Sequence, residues 1–155
     1  MTINPGLKPT KEDIHAATEL CSGFLKKGFV LEDVHVYAEG EIIIYYRNRL
    51  KHSDGSKKFF PMHCDKNGSY CLGEPQEFKG EFKILKPLYG LPYLSQYPEA
   101  VIFIVEGETK ANVLNDFLHR CSLQSEYIAL TSGGGTSASG INWTPVANKS
   151  CIVWG

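Results

Sequence analysis

The sequence has 155 residues, of which 43% are hydrophobic and 21% are charged, and its formal net charge is −1. This length fits one domain, or one domain with a small companion, and the composition is that of an ordinary folded protein. The charge balance leaves no protein-wide basic field for nucleic acid, so any such contact has to come from a local patch. No apolar run reaches the roughly 18 residues that a membrane span needs.

The N-terminal half has the pattern of one helix followed by an antiparallel β-meander. Thr10 and Asp13 have the spacing of a capping box, and the helical pattern runs on to Gly28, a natural C-cap. Its predicted apolar face consists of Ile14, Ala17, Thr18, Cys21, Phe24 and Leu25. Strands are expected at Val34–Tyr37, Glu41–Arg47, Lys58–Met62 and Ser69–Leu72, with turns at Glu39-Gly40, Asp54-Gly55 and Lys66–Gly68.

The C-terminal half has the pattern of an α/β sheet. Prolines and tyrosines dominate residues 86–99 and predict a packed, non-repetitive linker. After Ala100 the order is strand, helix, strand, which is typical of a parallel sheet. The unbroken apolar run Val101–Val105 indicates a strand buried on both faces. We therefore predict an α+β fold with a helix and meander over 1–85, a linker over 86–99 and a partial α/β sheet over 100–155.

Glu106 is the main candidate for chemistry, because it follows the predicted core strand at a turn into a helix. Open α/β sheets bind ligands at the carboxyl ends of their strands, so an acid there suits metal binding or proton transfer. The alternative is a helix-start acid favoured by the macrodipole. Glu108 lies in the first helical turn, where acids are common, and Lys110 either reaches a phosphate or is solvated.

The segment Val105–Glu108, after an apolar strand and before a helix, resembles the first motif of the Toprim domain of DNA primases, topoisomerases and related nucleases. The resemblance extends to Lys86–Pro92, Ala129–Gly135 and Asn142–Gly155. It implies a phage-, plasmid- or element-encoded DNA primase that transfers nucleotides with Mg²⁺ or Mn²⁺. Glu106 would be its catalytic group and metal ligand. Single-stranded DNA and nucleotides would be the partners, together with a helicase domain in the same chain.

The sequence also departs from the Toprim pattern. The second motif of the family is an Asp-x-Asp pair after the next core strand, but here the matching strand is Cys151–Trp154 and the sequence ends at Gly155. Asn112 stands where the helix usually carries an aspartate. We expect a fragment of a longer protein, with a degenerate copy as the alternative, and little or no activity in this chain alone. The alternative function is a non-catalytic module that binds nucleic acid or a replication partner.

Two other segments are candidates for binding. The glycine turn Ser132, Gly133, Gly134 and Gly135 either cradles a phosphate with its N–H groups or is a flexible turn. Basic residues lie among aromatic residues of a predicted hairpin, a combination that suits single-stranded nucleic acid: Arg47, Arg49, Lys51, Lys57 and Lys58. Of these, Arg47, Arg49 and Lys58 are the predicted nucleic-acid contacts. In a half-buried hairpin, however, aromatics also serve as core and cations as solvated groups.

Five irregularly spaced cysteines do not predict a disulfide framework, and no close Cys/His pairs predict a zinc site. The N-terminus has neither a basic region nor an apolar core of the kind that a signal peptide has. Together these features predict a cytoplasmic protein without membrane partners.

Overall fold

The computed structural model describes residues 7–134 and 140–155, and within them the chain divides into two compact units. One unit comprises 8–37 and 43–83, and the other comprises Leu7, 38–42 and the described part of 84–155. The fold is α+β, as predicted. The described residues form a four-stranded antiparallel sheet and a separate three-stranded parallel sheet. No helix in the described ranges is long and apolar enough to cross a membrane.

The antiparallel unit carries two helices and a meander. Its sheet has the strand order β1-β2-β3-β4, and a short 3₁₀ turn, Gln76–Phe78, follows the last strand. The elements are α1 (Lys11–Leu20), α2 (Ser22–Leu25), β1 (Phe29–Glu39), β2 (Ile42–His52), β3 (Lys57–Cys64) and β4 (Tyr70–Leu72).

The capping box at the start of α1 is confirmed. The Asp13 N–H donates to Thr10 Oγ1 at 3.1 Å, and the Thr10 N–H donates to Asp13 Oδ2 at 2.8 Å. The predicted apolar face is wrong at Ile14, which is 44% exposed, and at Thr18, which is also exposed, whereas Asp13 is only 3% exposed. Asp13 faces the sheet because its Oδ1 accepts hydrogen bonds from the hydroxyls of Tyr46 and Tyr70, at 2.8 and 2.7 Å. The predicted single helix is also interrupted at Cys21, between α1 and α2.

β1, β2 and β3 are longer than predicted, β4 is one residue shorter, and the turns of the meander are where the sequence places them. β1 and β2 have 11 residues each. In β2 the pairing with β3 continues through polar positions such as Lys51, which lies opposite Lys57. Asp54 Oδ1 accepts the N–H of Ser56 in the β2–β3 turn. Asp65 Oδ1 likewise accepts the N–H groups of Asn67 and Ser69 in the β3–β4 turn. Such local side-chain bonds stabilise turns independently of the rest of the fold.

The parallel unit confirms the predicted strand–helix–strand order. β5 is the central strand of the sheet β6-β5-β7, and both of its pairings are parallel. A 3₁₀ turn, Thr144–Val146, precedes the last strand. The other elements are α3 (Leu91–Gln96), β5 (Val101–Val105), α4 (Glu108–Arg120), β6 (Tyr127–Thr131) and β7 (Cys151–Val153).

The segment expected to be a packed linker contains α3 and contributes to the core of this unit. Leu88, Leu91 and Leu94 are buried in one cluster with Ile102 and Leu130. Gly90 begins α3 with φ +96°, and a Cβ there would lie 2.9 Å from Leu130 Cδ2. Glycine is therefore required by both the backbone conformation and the close approach of β6.

The strands of this sheet are buried to different extents. In β5, Ile102 and Val105 are buried and the other three residues are half-buried, so the expected burial on both faces holds only in part. In β7 every residue is exposed, and Val153 is 81% exposed. The prediction of an apolar core strand at Cys151–Trp154 is thus correct for the strand but wrong for its burial, because within the described residues β7 is an edge strand.

Candidate active site

Glu106 lies at the carboxyl end of the central strand of the parallel sheet. It directly follows β5, and Gly107 is the N-cap of α4. The next strand in sequence, β6, lies on one side of β5, and β7 lies on the other. The strand order therefore reverses beside Glu106, and open α/β sheets bind their ligands at such a reversal.

The Glu106 side chain is 63% exposed and forms an ion pair with Lys110. Lys110 Nζ donates to Glu106 Oε2 at 2.5 Å, across one turn at the start of α4. The hydrogen bond and charge of Lys110 hold the pKa of the Glu106 carboxyl below its usual value. Glu106 is consequently an accessible carboxylate that stays ionised at neutral pH, and Lys110 is its partner.

Glu108 differs from Glu106 although only one residue separates them. It is the first residue of α4, as expected, but its side chain is only 3% exposed. The sequence contains no signal for this burial, because both glutamates border the same helix start. The phase of α4 against the sheet decides which of the two faces solvent.

The glycine turn lies at the same edge of the sheet as Glu106. Val105 pairs with Thr131, so Ser132, Gly133 and Gly134 leave β6 at the level where Glu106 leaves β5. The Gly133 N–H donates to Thr131 Oγ1 at 3.1 Å, so this donor is already used within the turn. Gly135, the fourth residue of the predicted phosphate cradle, lies outside the described residues.

Two asparagines of α4 have roles that sequence reasoning missed. Asn115 is buried and binds the backbone of Ala129 twice, donating to its carbonyl at 2.9 Å and accepting from its N–H at 2.8 Å. Asn112, at the position of the family aspartate, accepts the hydroxyl of Tyr89 at 2.8 Å. Tyr89 in turn pairs with the Thr131 backbone, so these contacts cover the outer edge of β6.

The residues near Glu106 do not fit a two-ion metal centre. Hard cations such as Mg²⁺ take oxygen ligands, chiefly carboxylates, and a pair of them needs several. Within the part of the chain that the structure describes, no group of three His, Cys, Asp or Glu side chains is placed to hold an ion. Glu106 is bound to Lys110 and Glu108 is buried. No catalytic step through a metal follows from these residues alone.

The structure places the three predicted hairpin cations on two faces of the antiparallel sheet. Arg49 pairs with Phe59 and Lys58 pairs with Leu50, and side chains alternate along a strand. Arg47 and Arg49 lie over the Phe59 ring, at 4.1 and 5.9 Å from its centroid. Lys58 is instead on the opposite face, 5.4 Å from the ring of Phe24 and 5.7 Å from that of Phe29. Arg47 and Arg49 therefore come together, and Lys58 does not join them.

The face of the hairpin that carries Arg47, Arg49 and Phe59, here called its outer face, includes other charged side chains. Arg49 forms an ion pair with Glu32 at 2.7 Å, which neutralises part of its charge. Lys51 and Lys57 are exposed cross-strand neighbours on the side that carries Arg49 and Phe59. Like charges directly opposite each other destabilise a strand pair unless an anion lies between them. The sequence already places both lysines among the cations of the predicted hairpin, and the Asp54-Gly55 turn sets the register that brings them opposite each other.

No protein family, curated protein or solved structure matches this chain. The placement and chemistry of its own residues therefore carry the functional argument.

Proposed function

We propose that the chain is a portion of a DNA primase, a nucleotidyltransferase of the Toprim type, that acts in the replication of a phage, plasmid or integrated element. The observation that carries this proposal is the position of Glu106, an exposed carboxylate at the carboxyl end of the central parallel strand. A ligand bound at the strand reversal would contact it directly. The motif Val105–Glu108 supplies the link to primases.

Two further features support a nucleotide at this edge. The N-cap of α4 is Gly107, which has no side chain to cap the helix, and helix starts are common sites of phosphate binding. Lys110 lies in the first turn and is exposed, although Glu106 shares its charge. Mg²⁺ or Mn²⁺ belongs to this proposed activity, and its remaining ligands would have to come from outside the described residues. By itself the chain is expected to bind Mn²⁺ with a Kd above about 1 mM.

Primer synthesis by the protein that contains this chain tests the proposal. Glu106→Gln keeps the shape and removes the charge, and the loss of one such electrostatic contact commonly costs about 10²–10³ in rate. The matched control is Glu12→Gln, which changes an exposed acid in the first turn of α1. Unchanged primer synthesis in a folded Glu106→Gln protein would eliminate the catalytic role. The residues encoded after Gly155 offer a simpler test, because an apolar strand followed by Asp-x-Asp there would support the proposed primase activity.

The alternative is a non-catalytic module that binds single-stranded nucleic acid through the outer face of the hairpin. The facing pair Lys51 and Lys57 favours it, because a phosphate between two like charges removes their repulsion. Arg47 and the exposed Phe59 ring add a stacking surface nearby.

Fluorescence anisotropy with single-stranded DNA tests this alternative at low and moderate salt. Each neutralised phosphate contributes a salt slope of about −0.7, so binding by a few cations should disappear at moderate salt. Lys51→Ala with Lys57→Ala should weaken binding, whereas Lys58→Ala, on the other face, is the matched control. Equal losses in both variants, or insensitivity to salt, would exclude this face.

A further inference from the structure

An apolar groove of about 610 Å³ lies between α4 and the ends of β5 and β7. Val105, Leu114 and the exposed side chains of Val113, Phe117 and Trp154 line it. Val113 is 62%, Phe117 50% and Trp154 57% exposed. Contiguous apolar surface of this kind is uncommon on a folded protein and usually marks an interaction site.

The groove has a helical wall and a sheet floor. On α4, Lys110, Val113, Phe117 and Arg120 follow one another at i, i+3, i+7 and i+10, so they form a stripe about 15 Å long. On the sheet side, Val105, Trp154 and Gly155 line the groove. Beside them Ile152 pairs with Phe103, and the Phe103 and Trp154 rings are 5.9 Å apart. The wall and floor together form the apolar groove, which has a basic residue at each end of its helical wall.

The groove has room for one further helix beside α4. α4 is fastened to β6 through Asn115, at the opposite edge of the sheet from β7. Helices pack about 8–10 Å apart and strands about 4.8 Å apart, so one helix covers about two strands. Within the described residues no helix covers the Ile152 and Trp154 side of β7, and a helix laid beside α4 would complete that layer.

The charged residues on the helical wall indicate which kind of helix would bind in the groove. Lys110 is bound to Glu106, whereas Arg120 is exposed and has no ion-pair partner among the residues that the structure describes. Arg120 thus places a positive charge without an ion-pair partner at one end of the apolar groove. An occupant with an acidic side chain at that end would be complementary.

We propose that this groove docks an amphipathic helix of a partner protein, whose apolar face packs on Val113, Phe117 and Trp154 and whose acidic end meets Arg120. The mode is helix-in-groove recognition, with anchors at i, i+3 or i+4, and i+7. The proposal does not depend on the primase activity, because no anchor residue takes part in the chemistry assigned to Glu106.

Two designed helical peptides of about 14 residues test it on the full 155-residue chain. Both carry leucines at the anchor spacing, and they differ only in glutamate or lysine at both ends. Titration into the isotope-labelled protein should shift the NMR signals of Val113, Phe117 and Trp154. The glutamate peptide should bind with a Kd of about 100 μM, and about three- to fivefold more tightly than the lysine peptide. Arg120→Glu should reverse that preference.

Val113→Glu should abolish binding, and His119→Glu, at an exposed position of α4 outside the groove, should leave it unchanged. Three results would overturn the proposal: no binding at about 1 mM, equal affinity for both peptides, or shifts that map elsewhere. A dimer in sedimentation that Val113→Glu dissociates would assign the groove to a second copy of the chain and overturn it as well.

Discussion

Asp13, in the first turn of a helix of the antiparallel unit, is buried and hydrogen-bonded through both oxygens, whereas Glu106, which precedes a helix of the parallel unit, is exposed and pairs with Lys110. Asp13 accepts from the Thr10 N–H and from two tyrosine hydroxyls, so its oxygens are committed to the fold. Glu106 has most of its surface in water. The same residue chemistry therefore stabilises one unit and is available to a ligand in the other, and burial makes the difference.

We expect the largest effect from a substitution of the buried acid, Asp13. Asp13→Ala leaves the hydroxyls of Tyr46 and Tyr70 without their acceptor and opens the capping box. Hydrogen bonds to a charged group contribute about 1.5–3 kcal/mol each, so we expect a loss of about 3–4 kcal/mol in the free energy of unfolding. Urea denaturation measures it, with Glu106→Ala as the control that should change little. A loss below about 1 kcal/mol would mean that Asp13 is not structural.

A second prediction concerns the parallel unit, where two asparagines of α4 can be exchanged for the same residue. Asn115→Asp replaces the amide donor to the Ala129 carbonyl by an oxygen, so a buried acceptor faces another acceptor. We expect a loss of about 2–3 kcal/mol in the free energy of unfolding. Among the residues that the structure describes, Asn112 uses only its oxygen, to accept the Tyr89 hydroxyl, so Asn112→Asp should cost much less. Equal losses in the two variants would contradict the assigned geometry.

The parts of the fold that the sequence predicts are those that local chemistry determines. The Thr10–Asp13 capping box, the Asp54-Gly55 turn and the apolar run of β5 each depend on a few adjacent residues, and all three are present. The burial of Asp13 could not be predicted, because its tyrosine partners lie 33 and 57 positions away along the chain. The packing of Leu91 and Leu94 likewise depends on strands that come later in the sequence.

The candidate site follows the same division. The position of Glu106 after a strand, and its i,i+4 pairing with Lys110, are readable from spacing. The burial of Glu108 and the double hydrogen bond of Asn115 depend on how α4 is rotated against β6, which the chain specifies only through packing. The separation of Lys58 from Arg49 depends on strand register, which a miscount of one residue reverses.

A third prediction uses pH to examine the buried carboxylate without mutation. The hydrogen bond to Asp13, aided by burial, raises the pKa of Tyr70 from 10.0 to about 12. Burial and the same carboxylate raise the pKa of Tyr46 in the same direction. Because the folded pKa is the higher one, the stabilisation is complete below pH 10.0 and is lost as the pH rises through about 12.

Ultraviolet difference spectroscopy of tyrosinate and denaturation at a series of alkaline pH values measure this effect. Tyr70→Phe should remove part of the alkaline loss, whereas Tyr127→Phe, in the parallel unit, should not. If the wild type keeps its full stability through this range, the two hydroxyls are not bonded to Asp13.

The smallest expected effect lies at Glu106 itself. Lys110→Gln removes the charge and replaces the ammonium donor by a neutral amide, so the pKa of the Glu106 carboxyl should rise towards its usual value of 4.5. Lys110→Arg keeps a cation in the first turn of α4 and should keep the pKa low. Carbon-detected NMR of the carboxyl group during a pH titration measures both variants. The pair is solvent-exposed, so thermal unfolding should not change, in contrast to the result expected for Asp13. A pKa that stays low in Lys110→Gln would show that another group acts on Glu106, and the candidate site would then have to include that group.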